Sequence, residues 1–197
     1  MEAVKKKPDR SELTVEQLQD ELRREKYKRS FRFALRNTLF TLITVAAVAV
    51  LIAVLVLPVL RIYGTSMTPT LEEGDIVLSV KGKRFKTGDV IGFYYNNNIL
   101  VKRVIADTGE WVNIDDAGTV SVNGVLIDEP YITEKALGEC NIELPYQVPE
   151  SRIFVMGDHR STSIDSRNTA VGCVSQEQIV GKIIFRVWPL RDFGPVS

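Results

Sequence analysis

Histidine and cysteine are scarce in this chain of 197 residues, which has one histidine, His159, and two cysteines, Cys140 and Cys173. Zinc sites built from these residues usually need about four ligands in short spacings such as CxxC. Neither cysteine has such a neighbour, so we expect no metal site. We interpret both cysteines as structural, and one disulfide between them is allowed but not required.

An excess of either charge is also absent, because 25 basic residues balance 25 acidic ones. Domains that bind nucleic acid generally carry a clear basic excess on one face. The composition therefore argues against a nucleic-acid partner, and the distribution of charge along the chain becomes more informative than its total.

Charged residues are missing altogether between Arg36 and Arg61, and the run over residues 38–60 is almost wholly apolar. A helix rises about 1.5 Å per residue, so about 20 apolar residues cross a hydrocarbon core of about 30 Å. A cleaved secretory signal has a shorter apolar core, of about 7 to 15 residues, nearer the amino terminus. We therefore predict an uncleaved transmembrane helix over residues 38–60.

The segment before this apolar run is rich in Lys and Arg. Basic residues that flank a membrane span are retained in the cytoplasm, which predicts a cytoplasmic tail over residues 1–37 and a domain on the outer side over residues 61–197. Thr14 and Gln17 form a T-x-x-Q capping box, which predicts a short helix leading into the span. The basic residues are Arg23, Arg24, Lys26, Lys28, Arg29, Arg32 and Arg36.

Beyond Tyr63 the pattern changes to short runs of Val, Ile and aromatic residues separated by glycine-containing turns, which is typical of β-strands. Asn123-Gly124 predicts a two-residue hairpin turn. No convincing amphipathic helix follows the span, so the predicted fold class is mostly β, an antiparallel barrel-like domain with one N-terminal transmembrane α-helix. The predicted strands are 75–80, 89–95, 100–105, 111–114, 119–122, 125–127, 153–156 and 179–187.

Ser66 and Lys102 are the candidate catalytic residues. A serine hydroxyl needs a neighbouring base, and a lysine can act as one only if its pKa falls towards the operating pH. Lys102 lies in an otherwise apolar run, where burial would disfavour the ammonium form and lower the pKa. Since neighbouring strand side chains point to opposite faces, Lys102 and Arg103 cannot both face one pocket. Ser66 lies in a turn-like stretch whose amide could also bind an oxyanion.

Three segments together resemble the motifs of type I signal peptidases: 64–71 (GTSMTPTL), 101–105 (VKRVI) and 157–167 (GDHRSTSIDSR). The resemblance covers most of the chain after the span, in the family's order. It implies a membrane-bound serine endopeptidase with a Ser/Lys dyad, without a cofactor, in the short form typical of Gram-positive bacteria. The shorter similarities are Gly74-Asp75, Gly88-Asp89-Val90, Val122-Asn-Gly124 with Glu129-Pro-Tyr131, and Ile179-Val-Gly181.

The resemblance also implies roles for five residues around the dyad. Ser163 would hydrogen-bond the Lys102 amine and aim it at Ser66, while Asp165 and Arg167 would form a supporting ion pair. Asp158 would support the site beside Arg103. The family's second oxyanion donor, a side-chain hydroxyl two positions before the nucleophile, is absent because Gly64 stands there.

The sequence departs from the family pattern in three places. His159 replaces a usual asparagine, Ala106 a common glycine, and four residues separate Arg167 from Gly172. Because His159 adjoins Asp158, a Ser-His-Asp triad is an alternative, but it leaves the lysine after an apolar run unexplained.

Three other functions compete with a signal peptidase. The first is a self-cleaving regulator with the same dyad, which the apolar span disfavours. The second is a specialised protease that cuts one pilin-like or conjugation substrate. The third is a non-enzymatic single-pass protein with a β-rich binding module, for which Ser66 would be dispensable.

The resemblance implies preprotein substrates with small residues at the first and third positions before the cut. An extended substrate can add to exposed strand edges, and the candidate edges are 61–66 and 99–102. Membrane lipid is an expected partner, and an interaction with export machinery is compatible with the resemblance. The implied location is the bacterial plasma membrane, with the N-terminus in the cytoplasm and the catalytic domain outside.

Overall fold

The computed structural model describes residues 15–82 and 84–196. Its first element is a single helix, α1, over Val15–Val56. Gln17–Leu51 of α1 is long and apolar enough to cross a membrane. The described part of α1 includes Gln17, whereas Thr14, the other half of the predicted capping box, lies outside the described residues.

The apolar run predicted as a span does not stay helical to residue 60. Helix α1 ends at Val56, and Leu60 already lies in the first strand, where it pairs with Val77. Pro58 explains the early end, because proline has no amide hydrogen and disfavours the helical conformation in the residue before it.

The larger sheet has eight antiparallel strands in the order β1-β2-β11-β3-β4-β9-β10, with β12 paired to β11. Its strands are β1 Val59–Arg61, β2 Ile76–Val80, β3 Val90–Tyr95, β4 Asn98–Ala106, β9 Arg152–Met156, β10 Val174–Ser175, β11 Ile179–Trp188 and β12 Gly194–Pro195.

The smaller sheet has four antiparallel strands in the order β7-β6-β5-β8. They are β5 Trp111–Ile114, β6 Val120–Val122, β7 Val125–Leu126 and β8 Tyr146–Gln147. The β6–β7 turn is the predicted Asn123-Gly124 hairpin, and both residues have positive φ, 53° and 80°. The mostly β, antiparallel fold with one N-terminal apolar helix is thus confirmed, in two sheets.

The eight predicted strands all occur, each within two residues of the predicted limits. The strands that sequence patterns missed are β1, β8, β10 and β12, which have two or three residues each. Runs this short show no alternation of apolar and polar residues, so only pairing with a neighbour defines them.

Three buried apolar clusters hold the strands together, and burial of each large aliphatic or aromatic side chain contributes roughly 1.5–3 kcal/mol. The cluster that supports the candidate site contains Ile62, Met67, Leu71, Val77, Val90 and Ile183. Cys173 packs in the core beside the smaller sheet, Cys140 is half-buried, and the two thiols are not bridged. The structural interpretation of Cys173 is therefore consistent with its packing.

Candidate active site

Ser66 is held on a tight turn between β1 and β2. Gly64 opens the turn with φ of +77°, a conformation that glycine adopts without steric cost. The Thr68 amide donates to the Thr65 carbonyl at 3.1 Å, and the Leu71 amide donates to the Met67 carbonyl at 2.9 Å. The side chains of Met67 and Leu71 are buried, so they anchor the turn and leave Ser66 half-buried at its surface.

Lys102 reaches this turn from the middle of β4. Its backbone pairs with Ile91 of β3, and its side chain is only 3% exposed. The Lys102 Nζ donates a hydrogen bond to Ser66 Oγ at 2.6 Å. The structure therefore brings together the two residues that sequence reasoning paired across 36 positions.

The surroundings of Lys102 favour its neutral form. Burial is the largest influence and lowers its pKa from the ordinary 10.5 to about 8. The charge of Asp165 raises the pKa, the charge of Arg167 lowers it, and that of Asp158 raises it. Because the pKa lies near 8, a substantial share of the amine can accept a proton in mildly alkaline solution.

Arg103 points to the opposite face of β4, as strand alternation predicted. Its guanidinium makes a bidentate ion pair with Asp158, with Nε–Oδ1 and Nη2–Oδ2 distances of 2.9 and 2.7 Å. It also donates to the Gly88 carbonyl at 2.7 Å and to Thr70 Oγ1 at 3.1 Å. The centroid of the Tyr131 ring lies 3.8 Å from the guanidinium carbon, so an aromatic face covers the cation in addition to its hydrogen bonds.

Ser163, Asp165 and Arg167 form a second buried network beside the lysine. Arg167 pairs with both carboxylate oxygens of Asp165 at 2.9 Å. Ser163 Oγ donates to Asp165 Oδ2 at 2.7 Å, and the amide of Gly157 donates to the same oxygen at 2.9 Å. The resemblance implied a hydrogen bond between Ser163 and the Lys102 amine. In the structure Ser163 donates to the Asp165 carboxylate instead, and the Lys102 amine donates to Ser66.

His159 contacts the serine turn without forming a triad. Its amide donates to the Ser66 carbonyl at 3.1 Å, and its Nδ1 lies 3.1 Å from Thr68 Oγ1. Asp158, the required third member, is occupied by Arg103 and Thr70. The side-chain contacts thus favour lysine as the partner of Ser66.

Sequence reasoning missed two structural supports of the site. The Arg160 guanidinium is buried, makes a bidentate ion pair with Glu129, and donates to the Gly157 carbonyl at 3.1 Å. A Cβ added to Gly157 would overlap Ser163 Oγ and the Ser66 carbonyl oxygen. The Glu129-Pro-Tyr131 and Gly157 positions stood out only through the family resemblance, and Glu129 lies 31 residues from Arg160, which is too far for a spacing rule to find.

An apolar groove opens beside the dyad, with a cavity volume of about 550 Å³. One wall comes from β1 and the serine turn, over residues 59–64, and the other from residues 97–102. Strand β1 is an edge strand, and β9 pairs with β4 only from Arg103 onward, so the stretch before it has an open edge. Both predicted edges therefore border the same groove.

Comparisons with known proteins identify the family of this chain. The family model described as "Signal peptidase, peptidase S26" matches residues 35–188. A signal peptidase I of Bacillus licheniformis is 34% identical over 174 residues, covering 80% of this chain and 92% of that protein. The thylakoidal processing peptidase 1 of Arabidopsis thaliana chloroplasts is 34% identical over 142 residues, covering 64% of this chain and 40% of that protein.

A crystal structure of a signal peptidase I from Enterococcus faecalis V583 is 31% identical in sequence, with a TM-score of 0.41, and covers 51% of this chain and 97% of that one. The family match alone extends over more than half of this chain and includes both residues of the dyad. This chain therefore belongs to the signal peptidase family, peptidase S26.

Proposed function

We propose that this chain is a membrane-anchored signal peptidase in which Ser66 is the nucleophile and Lys102 the general base. The observation that carries the proposal is the 2.6 Å hydrogen bond between Lys102 Nζ and Ser66 Oγ, in a buried position that lowers the pKa of the amine to about 8. Family membership supports peptidase activity and favours it over a binding module or a soluble self-cleaving regulator.

The geometry supports acyl-enzyme chemistry. The neutral Lys102 amine accepts the proton of Ser66 as Oγ attacks the substrate carbonyl, and the resulting ammonium gives that proton to the leaving amine. Lys102 then removes a proton from the water that hydrolyses the ester, which regenerates Ser66. The Ser66 amide is the first donor to the oxyanion, and with Gly64 in place the family's side-chain donor is missing.

The ion pairs around the dyad have positioning roles in this scheme. Ser163 and Gly157 fix one oxygen of Asp165, whose charge opposes the loss of the Lys102 proton, while Arg167 neutralises that carboxylate. The Arg103–Asp158 pair holds the other face of β4 in place. Loss of these groups would disturb the geometry of the site while leaving the nucleophile and the base in the chain.

Substrate binding is proposed to occur in the groove between β1 and β4. An extended preprotein segment can pair with the open edge at residues 99–102, with alternate side chains directed into the apolar groove. This arrangement supports a preference for small residues at the first and third positions before the cut. Membrane lipid surrounds the anchor, and the export machinery would deliver the substrate.

The proposed topology places residues 1–37 in the cytoplasm, the anchor in the apolar part of α1 that ends at Val56, and the catalytic domain, from β1 onward, outside a bacterial plasma membrane. The basic residues before the span support this orientation. Protease added to intact cells is expected to digest the catalytic domain and spare the tail. Protection of the catalytic domain would overturn the orientation.

The activity is tested with the full chain in lipid vesicles and a labelled preprotein, with the cut mapped by mass spectrometry. Ser66→Ala and Lys102→Ala are each expected to lower kcat by at least about 1,000-fold. His159→Ala is the matched control, since it removes one contact to the same turn and should retain most activity. An active Lys102→Ala protein beside an inactive His159→Ala protein would overturn the dyad.

A further inference from the structure

Thr70 is a residue of the serine turn, residues 64–71, to which sequence reasoning gave no role. Its hydroxyl accepts a hydrogen bond from Arg103 Nη2 at 3.1 Å and donates one to Asp158 Oδ2 at 2.5 Å. Both partners are only 1% exposed. A guanidinium can only donate and an ionised carboxylate can only accept, so the hydroxyl is held in one orientation between the two.

The ion pair of Arg103 and Asp158 is a firm support for this hydroxyl. Its two hydrogen bonds measure 2.9 and 2.7 Å, and the guanidinium also donates to the Gly88 carbonyl at 2.7 Å. Hydrogen bonds between buried charged groups are shorter and stronger than those between neutral groups, and they are costly to break away from water. Thr70 is therefore tied to a part of the site that several other contacts already hold.

The two partners of Thr70 belong to the segments that carry the rest of the site. One partner, Arg103, follows Lys102 directly in β4. The carboxylate partner immediately precedes His159, whose amide donates to the Ser66 carbonyl at 3.1 Å. The serine turn is thus joined to the same support near both of its ends.

Apolar packing alone does not fix the direction of this turn. The side chains of Met67 and Leu71 are buried beneath it. Hydrophobic burial is non-directional, so it sets the depth of the turn more than its rotation. A hydrogen bond prefers an angle above about 150° at its hydrogen, so the Thr70 hydroxyl supplies the missing direction. The branched Cβ of threonine also restricts the side chain to few rotamers.

The dyad depends on such alignment. Lys102 Nζ and Ser66 Oγ meet at 2.6 Å from two separate segments, β4 and the serine turn. A misplacement of about 1 Å can cost about 100-fold in rate, even when its cause lies away from the reacting atoms. Thr70 contacts Arg103, on the face of β4 opposite to Lys102, so it can influence this distance without touching the reacting groups.

We propose that Thr70 is a positioning residue of the dyad, whose hydroxyl holds the serine turn so that Ser66 Oγ stays within hydrogen-bonding distance of the Lys102 amine. The inference rests on the proposed function and deepens it. Loss of the hydroxyl lowers kcat, because the dyad is misaligned. It leaves KM near the parent value, because the groove walls at 59–64 and 97–102 keep their side chains.

The test is cleavage of a labelled preprotein by the full chain in lipid vesicles, with kcat and KM measured separately. Thr70→Val keeps the shape of the side chain without the hydroxyl and is expected to lower kcat by about 100-fold. Thr70→Ser keeps the hydroxyl and should retain most of the activity. Thr108→Val is the matched control, because the Thr108 hydroxyl donates to the Arg152 carbonyl at 2.9 Å, outside the site.

The pH profile separates positioning from an electrostatic effect. The charge of Asp158 raises the pKa of Lys102, so a displaced carboxylate would move the rise of kcat to lower pH. Positioning predicts that Thr70→Val lowers kcat at every pH and leaves the shape of the profile unchanged. A profile displaced to lower pH would overturn the inference.

An unchanged kcat in Thr70→Val, or a rise of KM alone, would also overturn it, and so would a Thr70→Ser protein as slow as Thr70→Val. Circular dichroism verifies that each variant is folded. If Thr70→Val does not fold, Thr70→Ala takes its place with the same expected loss of kcat, and failure of both to fold would make Thr70 structural and the inference wrong. Failure of the unsubstituted chain to cleave the preprotein would instead refute the proposed function, so the two failures are distinct.

Discussion

The two faces of β4 give a buried cation different surroundings. Lys102 and Arg103 are neighbours with exposures of 3% and 1%. Arg103 has a bidentate carboxylate, a carbonyl, a hydroxyl and an aromatic ring around it. Within the described residues 15–82 and 84–196, Lys102 makes one side-chain hydrogen bond, to Ser66.

The comparison shows that burial alone does not decide the role of a charged side chain. A buried ion costs several kcal/mol unless carboxylates and hydrogen bonds replace the lost water. The buried guanidinium of Arg103 is compensated by its partners, which makes the residue structural. Lys102 is compensated only through the more distant charges of Asp165 and Asp158, so its pKa falls and it becomes available as a base.

The largest expected effect on activity comes from replacing Lys102 with arginine, the residue type of its neighbour Arg103. Lys102→Arg places a group that stays protonated at the position of the base, so kcat should fall by at least about 1,000-fold. The measurement is cleavage of a labelled preprotein, with circular dichroism to verify folding. Retention of more than about a tenth of the activity would contradict a basic role for residue 102.

Removal of the compensated cation should mainly affect stability. Arg103→Met leaves the Asp158 carboxylate buried beside Thr70 without its counter-ion, which is expected to lower the free energy of unfolding by about 3–5 kcal/mol. Urea unfolding of the full chain in detergent measures it. A loss below about 1 kcal/mol would mean that water or another cation replaces Arg103.

Removal of the uncompensated cation, Lys102, should raise the free energy of unfolding instead of lowering it. Folding lowers the pKa of Lys102 from 10.5 to about 8, so the charged form opposes folding by about 3 kcal/mol below pH 8. Lys102→Met should therefore raise the free energy of unfolding by about that amount at pH 7. The gain should shrink as the pH rises from 8 and vanish above about 10.5, and a gain that is constant with pH would contradict the electrostatic cause.

The smallest effect is a change of rate with pH. Only the neutral amine accepts the Ser66 proton, so kcat/KM should rise about 10-fold per pH unit below about 8 and level off above it. Initial rates of preprotein cleavage across pH 6 to 10 give the profile. Cleavage of the same preprotein by trypsin over this range is the control for ionisation of the substrate. A plateau that already begins below pH 6 would contradict Lys102 as the base.

Particular residues show how far the sequence could be read. The runs of Val, Ile and aromatic residues in β2, β3, β4 and β11 predicted strands because such side chains pack well on a pleated, half-buried surface. The Ser66 and Lys102 pairing and the opposite directions of Lys102 and Arg103 were likewise accessible, through motif and strand geometry. Leu60 was assigned to the span because its composition continues the apolar run, and only pairing with Val77 places it in β1.

The sequence by itself determined the apolar helix, the antiparallel strands and the residue types of the candidate dyad, because hydrophobic pattern, charge and turn chemistry are local properties of the chain. Only the tertiary structure decided that Arg160 pairs with Glu129 and that Ser163 donates to Asp165. The Arg160–Glu129 contact joins residues 31 positions apart, and the Ser163–Asp165 contact depends on the conformation of the loop that carries both residues. Their energies depend on distance and burial, which exist only once the sheets have packed.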